Sequence, residues 1–478
     1  MAYGTLYGRD KELAALSKLK DKKTSSLVVI NGRRRIGKSA LAEEYGKSFK
    51  KFYEFQGIFP RREGPKVDQL QNFAEQVRAQ FGTPKLSFQD WTEAFSYLAR
   101  LTSEGDTLIL LDEISWMATG EADFAGRLKI AWDVHFKKNP NLVMILCGSV
   151  SSWIEQNILK NAEFVGRVSS VIRLKELDLK PSAKFFGNEQ DRYRPIEIVR
   201  LLSITGCIPK YLEEVSTKDS VNANIKRLCF TSGGYLFEDF DRIFSDVFGA
   251  KSGTYRKIVS VLTDGPLSIG EVCVKLKQAQ NGEFTKSLED LVQSGFIARY
   301  HNHKPDGTLS KLSRFRISDN YLRFYLKYIL PNKERIAKEN FTFNSLEDLP
   351  GWQSICGLQF ENLILNRLPE ILPALGLEGE KILSASPYFQ TKTTRSEACQ
   401  IDLLIACKTN SYYVCEVKFR EKISLEVIRE VKKKIAALKF PKRSSFRPVL
   451  LYSGELDRAV IDEDYFDRIL DIGRLLKS

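Results

Sequence analysis

Residues 32–39 read Gly32-Arg33-Arg34-Arg35-Ile36-Gly37-Lys38-Ser39. This stretch has the form G-x-x-x-x-G-K-[ST], which is the phosphate-binding loop pattern. A short apolar, β-branched run at 26–30 precedes the loop, and a helix-forming run at 39–45 follows it. Because the pattern requires this strand, loop and helix context, we predict that the chain binds a nucleoside triphosphate.

The chemistry of the loop follows from its backbone. A chain that turns at Gly32 and Gly37 points successive N–H groups inward, and the following helix adds its positive end. We predict that Lys38 reaches the β- and γ-phosphates and that the Ser39 hydroxyl binds the bridging Mg²⁺. The other predicted nucleotide-binding positions of the loop are Arg33, Arg34, Arg35, Ile36 and Ala40. For the three arginines, solvated or ion-paired side chains suit a loop equally well.

A second signature lies at the end of an apolar run at 107–111, where Asp112 and Glu113 follow. Two acids at the end of a buried strand are costly unless a cation or a reaction requires them. We predict that Asp112 holds Mg²⁺ through water and that Glu113 orients or activates the attacking water. Solvated acids at a strand end are the alternative. Ser149 follows another buried-strand candidate and is placed to sense the γ-phosphate.

The region from about 6 to 214 resembles the archaeal-type ATPases of the STAND branch, within or beside the AAA+ class. The resemblance implies that a box containing Gly8 and Arg9 contacts the adenine base, and that Pro209 in a helical lid approaches the nucleotide. It also suggests that Arg167 is a charge-stabilising finger, acting within its own subunit or on a neighbour in a homo-oligomer. An ordinary surface arginine is the alternative for Arg167.

Length, charge and cysteine content limit the classes of protein to which this chain can belong. The 478 residues correspond to about three domains. Lys and Arg total 73 against 60 Asp and Glu, a net charge of +13, so a polyanionic partner such as nucleic acid is reasonable, with plain solubility as the alternative. Eight cysteines without a C-x-x-C pair and three histidines support neither a zinc site nor a disulfide framework. Without signal-peptide features or a membrane-length apolar run, we expect a cytoplasmic protein.

Residues from about 254 to 317 show a pattern of three helices and a hairpin that predicts a winged helix-turn-helix. Ser268 and Glu271 form a capping box, and a turn at 305–307 separates the wing strands. The third helix, at 285–294, carries one cation and two acids, which is poor for a phosphate-rich groove. We therefore favour an intramolecular or protein contact, as the regulatory winged-helix modules of STAND ATPases also suggest.

The last third of the chain contains two strong strand candidates, at 400–407 and 412–419. With a three-residue loop that ends in a left-handed Asn410, the hairpin register places Asp402 directly opposite Glu416. Two adjacent carboxylates repel each other unless a divalent cation or a proton joins them. A two- or four-residue loop would break this alignment.

This arrangement of an Asp followed by Glu-x-Lys resembles the PD-(D/E)XK nuclease fold. The resemblance implies a catalytic role for Asp402, Glu416 and Lys418, and Glu361 matches the acid of an upstream helix. Glu361, Asp402 and Glu416 would then hold Mg²⁺ or Mn²⁺. Ile401 stands where a Pro often precedes the Asp, and Gln390 and Gln400 are weaker candidates. The alternative is a structural ion-pair cluster at a sheet edge.

Together these patterns predict an α/β protein that contains a P-loop NTPase parallel sheet with a helical lid, a winged helix and a C-terminal restriction-endonuclease-like α/β domain. We predict an ATPase coupled to a nuclease-like, DNA-directed domain. The alternative is an ATP-dependent regulatory switch with an inactive nuclease-like interaction domain. The predicted domains are 1–175 (ATPase core), 176–250 (lid), 251–335 (winged helix and connector) and 350–478 (nuclease-like).

Overall fold

The computed structural model of the protein describes residues 6–60, 68–149, 152–248, 252–303, 308–392, 394, 397–408, 410–441 and 443–477. Its internal contacts divide the chain into two compact units, Met1–Glu176 and Leu177–Ser478. Along the described ranges, no helix is both long enough and apolar enough to cross a membrane.

The first unit is built on five parallel strands: β1 (Ser26–Gly32), β2 (Lys51–Gln56), β3 (Thr107–Asp112), β4 (Leu142–Ser149) and β5 (Val168–Leu174). Their order in the sheet is β2-β3-β4-β1-β5. Every residue of β1 and β3 is buried, as expected for parallel strands with both faces covered. The predicted parallel α/β sheet is therefore confirmed.

Helices cover both faces of this sheet. They are α1 (Asp10–Lys20), α2 (Lys38–Gly46), α3 (Gln69–Phe81), α4 (Trp91–Leu101), α5 (Ile114–Met117), α6 (Phe124–Val134) and α7 (Ser152–Ile154). The helices α1 and α2 form one apolar core with alternate residues of the central strands. The other face packs against α3, α4 and α6, where Trp91, Phe95 and Phe124 are fully buried. The two cores hold β1 and β3 rigidly, so the loops after these strands start from fixed positions.

The edge strand β2 is covered by amide side chains from α3. Gln76 Nε2 donates to the Gln56 carbonyl at 3.0 Å, and Gln76 Oε1 accepts from the Gln56 N–H at 2.7 Å. The glutamine-to-backbone pairs along and just beyond β2 are Gln80 with Glu54, Gln76 with Gln56, and Gln69 with Ile58. The glutamines thus pair alternate residues as a neighbouring strand would, and they protect the edge from pairing with another chain.

The second unit begins with a helical region. Its helices are α8 (Leu179–Ala183), α9 (Pro195–Thr205), α10 (Pro209–Glu213), α11 (Val221–Cys229) and α12 (Tyr235–Phe248). Proline occupies the first position of both α9 and α10, where its missing N–H costs nothing. Gly206, with φ of 68°, ends α9. This left-handed residue turns the chain towards α10.

Three helices and a hairpin follow: α13 (Ser252–Val261), α14 (Ile269–Leu276), α15 (Gly282–Gln293), β6 (Ile297–His303) and β7 (Leu309–Ile317). The two strands are antiparallel. The predicted capping box is confirmed, since Ser268 Oγ accepts from the Glu271 N–H and Glu271 Oε2 accepts from the Ser268 N–H. The predicted wing turn at 305–307 lies outside the described residues.

The rest of the chain forms a mixed sheet with helices on both faces. The helices before the sheet are α16 (Asn320–Phe324), α17 (Lys333–Ala337), α18 (Trp352–Asn366) and α19 (Leu368–Ala374). The sheet region comprises β8 (Ile382–Gln390), β9 (Cys399–Cys407), β10 (Ser411–Ile423), α20 (Glu426–Ala437), β11 (Ser445–Leu456), α21 (Arg458–Asp462) and β12 (Arg468–Asp471). The strand order is β12-β11-β10-β9-β8. The pairs β8–β9 and β9–β10 are antiparallel, whereas β10–β11 and β11–β12 are parallel.

We expect Gln76→Ala to lower the free energy of unfolding by about 1–2 kcal/mol, because the Gln56 N–H loses its acceptor and the Gln56 carbonyl keeps only the donor Asn72 Nδ2. Hydrogen exchange of the β2 amides should accelerate, and light scattering should show more self-association. Gln71→Ala is the matched control, since Gln71 lies on α3 but its amide contacts Glu75. Equal effects of the two substitutions would contradict a protective role for the glutamine pairs.

Candidate functional site

The predicted phosphate-binding loop joins the carboxyl end of β1 to the first turn of α2. Gly37 and Arg35 have φ of 88° and 67°, in the left-handed region. At Gly32 an added Cβ would lie 2.7 Å from the Leu174 carbonyl oxygen. The glycine at 37 is therefore favoured by backbone conformation and the glycine at 32 by close packing against β5.

Lys38 is folded back inside this loop and only 6% exposed. Its Nζ donates to the carbonyl oxygens of Gly32 at 3.2 Å and Arg33 at 3.1 Å. These partners are neutral, so the loop holds a positive charge next to the first turn of a helix. That combination suits an anionic oxygen.

Ser39 and Asp112, the two residues predicted to lie at the Mg²⁺ of the nucleotide, meet at the carboxyl edge of the sheet. Ser39 Oγ donates to Asp112 Oδ2 at 2.7 Å, and Asp112 Oδ1 accepts from the Glu113 N–H at 2.8 Å. Mg²⁺ in nucleotide sites takes one or two protein oxygens, with the remainder from water and phosphate. A hydroxyl and a carboxylate in direct contact fit that requirement.

Glu113 is held in an unusual conformation immediately after β3. Its φ is 49°, and Ser149 Oγ donates to its Oε1 at 3.5 Å. Its Oε2 is buried and has no hydrogen-bond partner among the described residues. Burial raises the pKa of Glu113, and Asp112 adds to this effect, whereas Lys38 and Arg34 oppose it. A buried carboxylate oxygen without a donor is costly, and an incoming water molecule would satisfy it.

The three loop arginines are placed differently. Arg33 forms an ion pair with Glu176 at 3.4 Å. The Arg34 guanidinium lies over the Trp116 ring, 5.0 Å from its centroid, and burial lowers its pKa. Nucleotide contacts from these arginines and from Arg35 remain predictions.

Arg9 forms hydrogen bonds that support the phosphate-binding loop. It is buried, and its Nη2 donates to the carbonyl oxygens of Ile36 at 3.0 Å and Lys175 at 2.8 Å. Gly8 precedes it with φ of 64°. An adenine contact for Gly8 and Arg9 stays a prediction, as do the loop roles of Ile36, which is buried, and Ala40.

Arg167 lies immediately before β5, at the amino edge of the sheet. Val168 pairs with Leu27, whereas the loop follows Gly32 at the opposite end of β1, so the structure does not bring Arg167 to Lys38. Its guanidinium instead forms a two-pronged ion pair with Asp133, with Nε 2.9 Å from Oδ2 and Nη2 2.8 Å from the same oxygen. The finger role of Arg167 stays a prediction, and the ion pair with Asp133 is what the alternative of an ordinary surface arginine expects.

Pro209 lies in the second unit, as the first residue of α10. Two left-handed residues, Gly206 and Cys207, precede it. Its predicted approach to the nucleotide stays a prediction.

Two acids that lie near Asp112 were not predicted from the sequence. Glu43 lies on α2 one turn after Ser39, and Glu54 lies on β2 next to β3. Burial raises the pKa of Glu43 to about 7, with added repulsion from Glu54 and Asp112. The four-residue spacing from Ser39 to Glu43 could have indicated Glu43 as a site residue, because it places both side chains on one face of a helix. Glu54 could not be found without the sheet order.

In the C-terminal sheet, the predicted hairpin register is confirmed. Tyr412 pairs with Ala406 and Cys415 pairs with Leu403, which is the alignment expected for Asp402 opposite Glu416. Asn410 has φ of 57°, as the predicted turn requires.

The acids of this hairpin are engaged with lysines. Glu416 Oε1 lies 2.9 Å from Lys418 Nζ, and Glu416 Oε2 lies 2.6 Å from Lys434 Nζ. Lys434 Nζ also lies 3.5 Å from Asp402 Oδ1. Lys418 forms a second ion pair with Glu430. Lys434 and Glu430, one turn apart on α20, were not predicted as site residues.

Glu361 on α18 interacts electrostatically with Asp402 of this hairpin. Burial raises the pKa of Glu361, and repulsion from Asp402 adds to this effect. Burial followed by repulsion from Glu416 also raises the pKa of Asp402. Within the described part of the chain, no group of three His, Cys, Asp or Glu side chains has a geometry that could hold a metal ion. The predicted metal set of Glu361, Asp402 and Glu416 therefore does not fit a metal in this arrangement.

The hairpin of the predicted winged helix contacts the edge strand β8. Asn302 Nδ2 donates to the Phe389 carbonyl at 2.6 Å, and Asn302 Oδ1 accepts from the Phe389 N–H at 3.3 Å. The Arg314 guanidinium lies 4.3 Å from the centroid of the Phe389 ring. This surface of the hairpin is thus used within the chain.

Comparison with known proteins finds a family match for the first part of the chain. Residues 6–215 match the family model described as an ATPase domain predominantly from Archaea. An uncharacterized protein of Methanocaldococcus jannaschii is 26% identical over 365 residues, which cover 76% of this chain and 77% of that protein. The chain therefore carries an ATP-binding P-loop ATPase domain, as the loop and the acids at the end of β3 predicted.

Several solved structures are similar at low sequence identity. The Walker-type ATPase of Pyrococcus abyssi has a TM-score of 0.49 at 16% identity, over 67% of this chain and 96% of that one. The ORC2 protein of Aeropyrum pernix, in ADPNP–ADP complexes, has a TM-score of 0.44 at 13% identity, over 71% and 96%. A RuvB mutant of Thermotoga maritima has a TM-score of 0.35 at 12% identity, over 62% and 91%.

We expect Glu113→Gln to retain ATP binding and to slow hydrolysis by about 10²- to 10⁴-fold, because the amide cannot accept a proton from water. Binding is measured by calorimetry and hydrolysis by phosphate release. As the pH is lowered, the wild-type hydrolysis rate should begin to fall at a pH above the usual pKa range of glutamate. The reason is that the pKa of Glu113 is raised, so this carboxylate takes up a proton at a higher pH than an exposed glutamate does. The control is Glu121→Gln, an exposed acid beyond α5. Wild-type turnover in Glu113→Gln would rule out this role.

Proposed function

We propose that this protein is a Mg²⁺-dependent ATPase whose nucleotide cycle controls a C-terminal, restriction-endonuclease-like domain that acts on DNA. The observation that carries the ATPase part is the convergence of Lys38, Ser39, Asp112 and Glu113 at the carboxyl edge of one parallel sheet. Parallel α/β sheets bind their ligands at this edge.

In this proposal each residue of the edge has one task. Lys38 binds the β- and γ-phosphates, and Ser39 and Asp112 would hold Mg²⁺, which neutralises charge on the phosphates. The Glu113 carboxylate orients the attacking water through Oε2, the oxygen that has no hydrogen-bond partner in the described part of the chain. Ser149, bonded to the other oxygen of Glu113, is placed to sense the γ-phosphate.

Support for a nuclease-like fold comes from topology. Three antiparallel strands, β8 to β10, lead through α20 into the parallel strands β11 and β12, and α18 packs on the face opposite α20. Asp402, Glu416 and Lys418 are brought together on the central hairpin, as the resemblance implies. The net charge of +13 favours a nucleic-acid partner.

A route for coupling is visible within the second unit. Arg194 and Arg200 of the α9 region lie 2.9 and 3.2 Å from the carboxylate of Glu421, near the end of β10. Arg367, just after α18, donates to the Gly206 carbonyl at the end of α9. The lid helix α9 therefore contacts the strand that carries Glu416 and the helix that carries Glu361, so its movement would reach both.

A second candidate function is a regulatory switch in which the C-terminal domain binds a partner without cleaving it. The observation that favours it is the engagement of Asp402 and Glu416 by Lys434. In either case the winged-helix region serves an intramolecular or protein contact, and Arg167 would act on a neighbouring copy in a homo-oligomer.

Lys38→Ala tests the ATPase proposal. The substitution should weaken ATP binding by about tenfold or more and abolish hydrolysis, because the charge that neutralises the phosphates is lost. Rates are measured with and without single-stranded and duplex DNA. Lys47→Ala, at the exposed end of α2, is the matched control and should behave as wild type. Undiminished hydrolysis by Lys38→Ala would refute the assignment.

Glu421→Gln tests the coupling. It should leave basal ATP hydrolysis unchanged and reduce the DNA-dependent change in rate by about fivefold, because α9 loses its ionic link to β10. Glu426→Gln, an exposed acid in the first turn of α20, is the control. A full DNA response in Glu421→Gln would show that the link transmits nothing.

A further inference from the structure

Lys434 occupies the space between the two carboxylates of the C-terminal hairpin. Its ammonium lies 2.6 Å from Glu416 Oε2 and 3.5 Å from Asp402 Oδ1, so it bridges two acids on neighbouring strands. Adjacent carboxylates need a cation between them, and a divalent ion is one way to supply it. Here a side chain of the protein supplies the cation.

The remaining oxygens of the pair are also satisfied. Asp402 Oδ2 accepts from the Val417 N–H at 2.9 Å, and Glu416 Oε1 lies 2.9 Å from Lys418 Nζ. Each of the four carboxylate oxygens therefore faces a backbone N–H or a lysine ammonium. A metal ion would have to displace a lysine from this cluster, in which the Glu416 side chain is 4% exposed and Asp402 15%.

The helix that carries Lys434 is firmly seated. Val427, Ile428 and Val431 are buried against β11 in a core that includes Leu450. At the end of the helix, the Ala437 carbonyl accepts from Gln390 Nε2 at 2.9 Å. The buried apolar side chains and the hydrogen bond at the last turn hold α20 in place. The position of the helix therefore places Lys434 next to Asp402 and Glu416.

We infer that Lys434 is the resident cation of this cluster and takes the place of a divalent metal, so that the C-terminal domain binds no Mg²⁺ or Mn²⁺ between Asp402 and Glu416. This inference rests on the proposed nuclease-like fold, and it deepens that proposal by assigning the site a metal-free state. Any contact of this domain with a polyanion is then independent of divalent ions.

The test counts bound Mn²⁺ by electron paramagnetic resonance on the full chain without nucleotide. Asp112→Asn is present in every sample, because it removes the cation site of the ATPase domain. The parent and its Asp402→Asn variant should bind equal amounts of Mn²⁺. Lys434→Met should bind an additional ion, with an affinity on the order of a hundredfold higher, because a unit charge a few ångströms away is removed. Adding Asp402→Asn should abolish this gain.

Lys433→Met is the matched control, since Lys433 is exposed on the same helix and should give the parent count. Circular dichroism verifies folding. A Mn²⁺ ion in the parent that disappears with Asp402→Asn would overturn the inference, and so would a folded Lys434→Met chain that gains no ion. If Lys434→Met does not fold, the parent and Asp402→Asn decide alone. Failure of ATP hydrolysis in the wild-type chain would remove the proposed ATPase role without changing these counts.

Discussion

A carboxylate buried in a protein requires a cation or a hydrogen-bond donor, and this requirement governs both acidic clusters of the chain. In the first unit, Asp112 ends a fully buried strand and Glu113 follows it, next to Lys38 and Ser39. In the second, Asp402 and Glu416 lie on paired strands beside two lysines. In each of these four acids at least one carboxylate oxygen meets a donor.

The two clusters satisfy the requirement in opposite ways. At the end of β3 one oxygen of Glu113 has no donor among the described residues, and Lys38 donates hydrogen bonds to the carbonyl groups of Gly32 and Arg33. A water molecule or an anionic ligand would satisfy these groups. Around Glu416 every carboxylate oxygen of the pair is already engaged by the protein. The first arrangement suits a site that exchanges ligands, and the second suits a site that holds its own cation.

Side-chain contacts connect the helical region, the hairpin and the mixed sheet of the second unit. Asn302 of the β6–β7 hairpin forms hydrogen bonds with the backbone of β8. Arg194 and Arg200 of the α9 region form ion pairs with Glu421 of β10. Strands and packed helices transmit displacement because they are stiff. A movement of α9 would therefore be felt at the strand that carries Glu416 and Lys418. The proposed control of this domain by the nucleotide cycle depends on this stiffness.

The sequence by itself determined the local features. The glycines and Lys38 of the loop, the apolar run ending in Asp112 and Glu113, the capping box at Ser268 and the hairpin register all follow from short-range pattern. Each depends on residues a few positions apart, where backbone geometry permits few arrangements. The family match over residues 6–215 agrees with the first two.

Only the tertiary structure decided which distant side chains meet. The position of Lys434 between Asp402 and Glu416 depends on how α20 packs on the sheet, and the position of Arg167 at the amino edge depends on the register of β5 with β1. Likewise, the exposed edge of β2 and its cover of glutamines appear only once the strand order is known. Periodicity can show which face of an element is buried, but it cannot show which partner covers that face. That choice is set by packing over the whole chain.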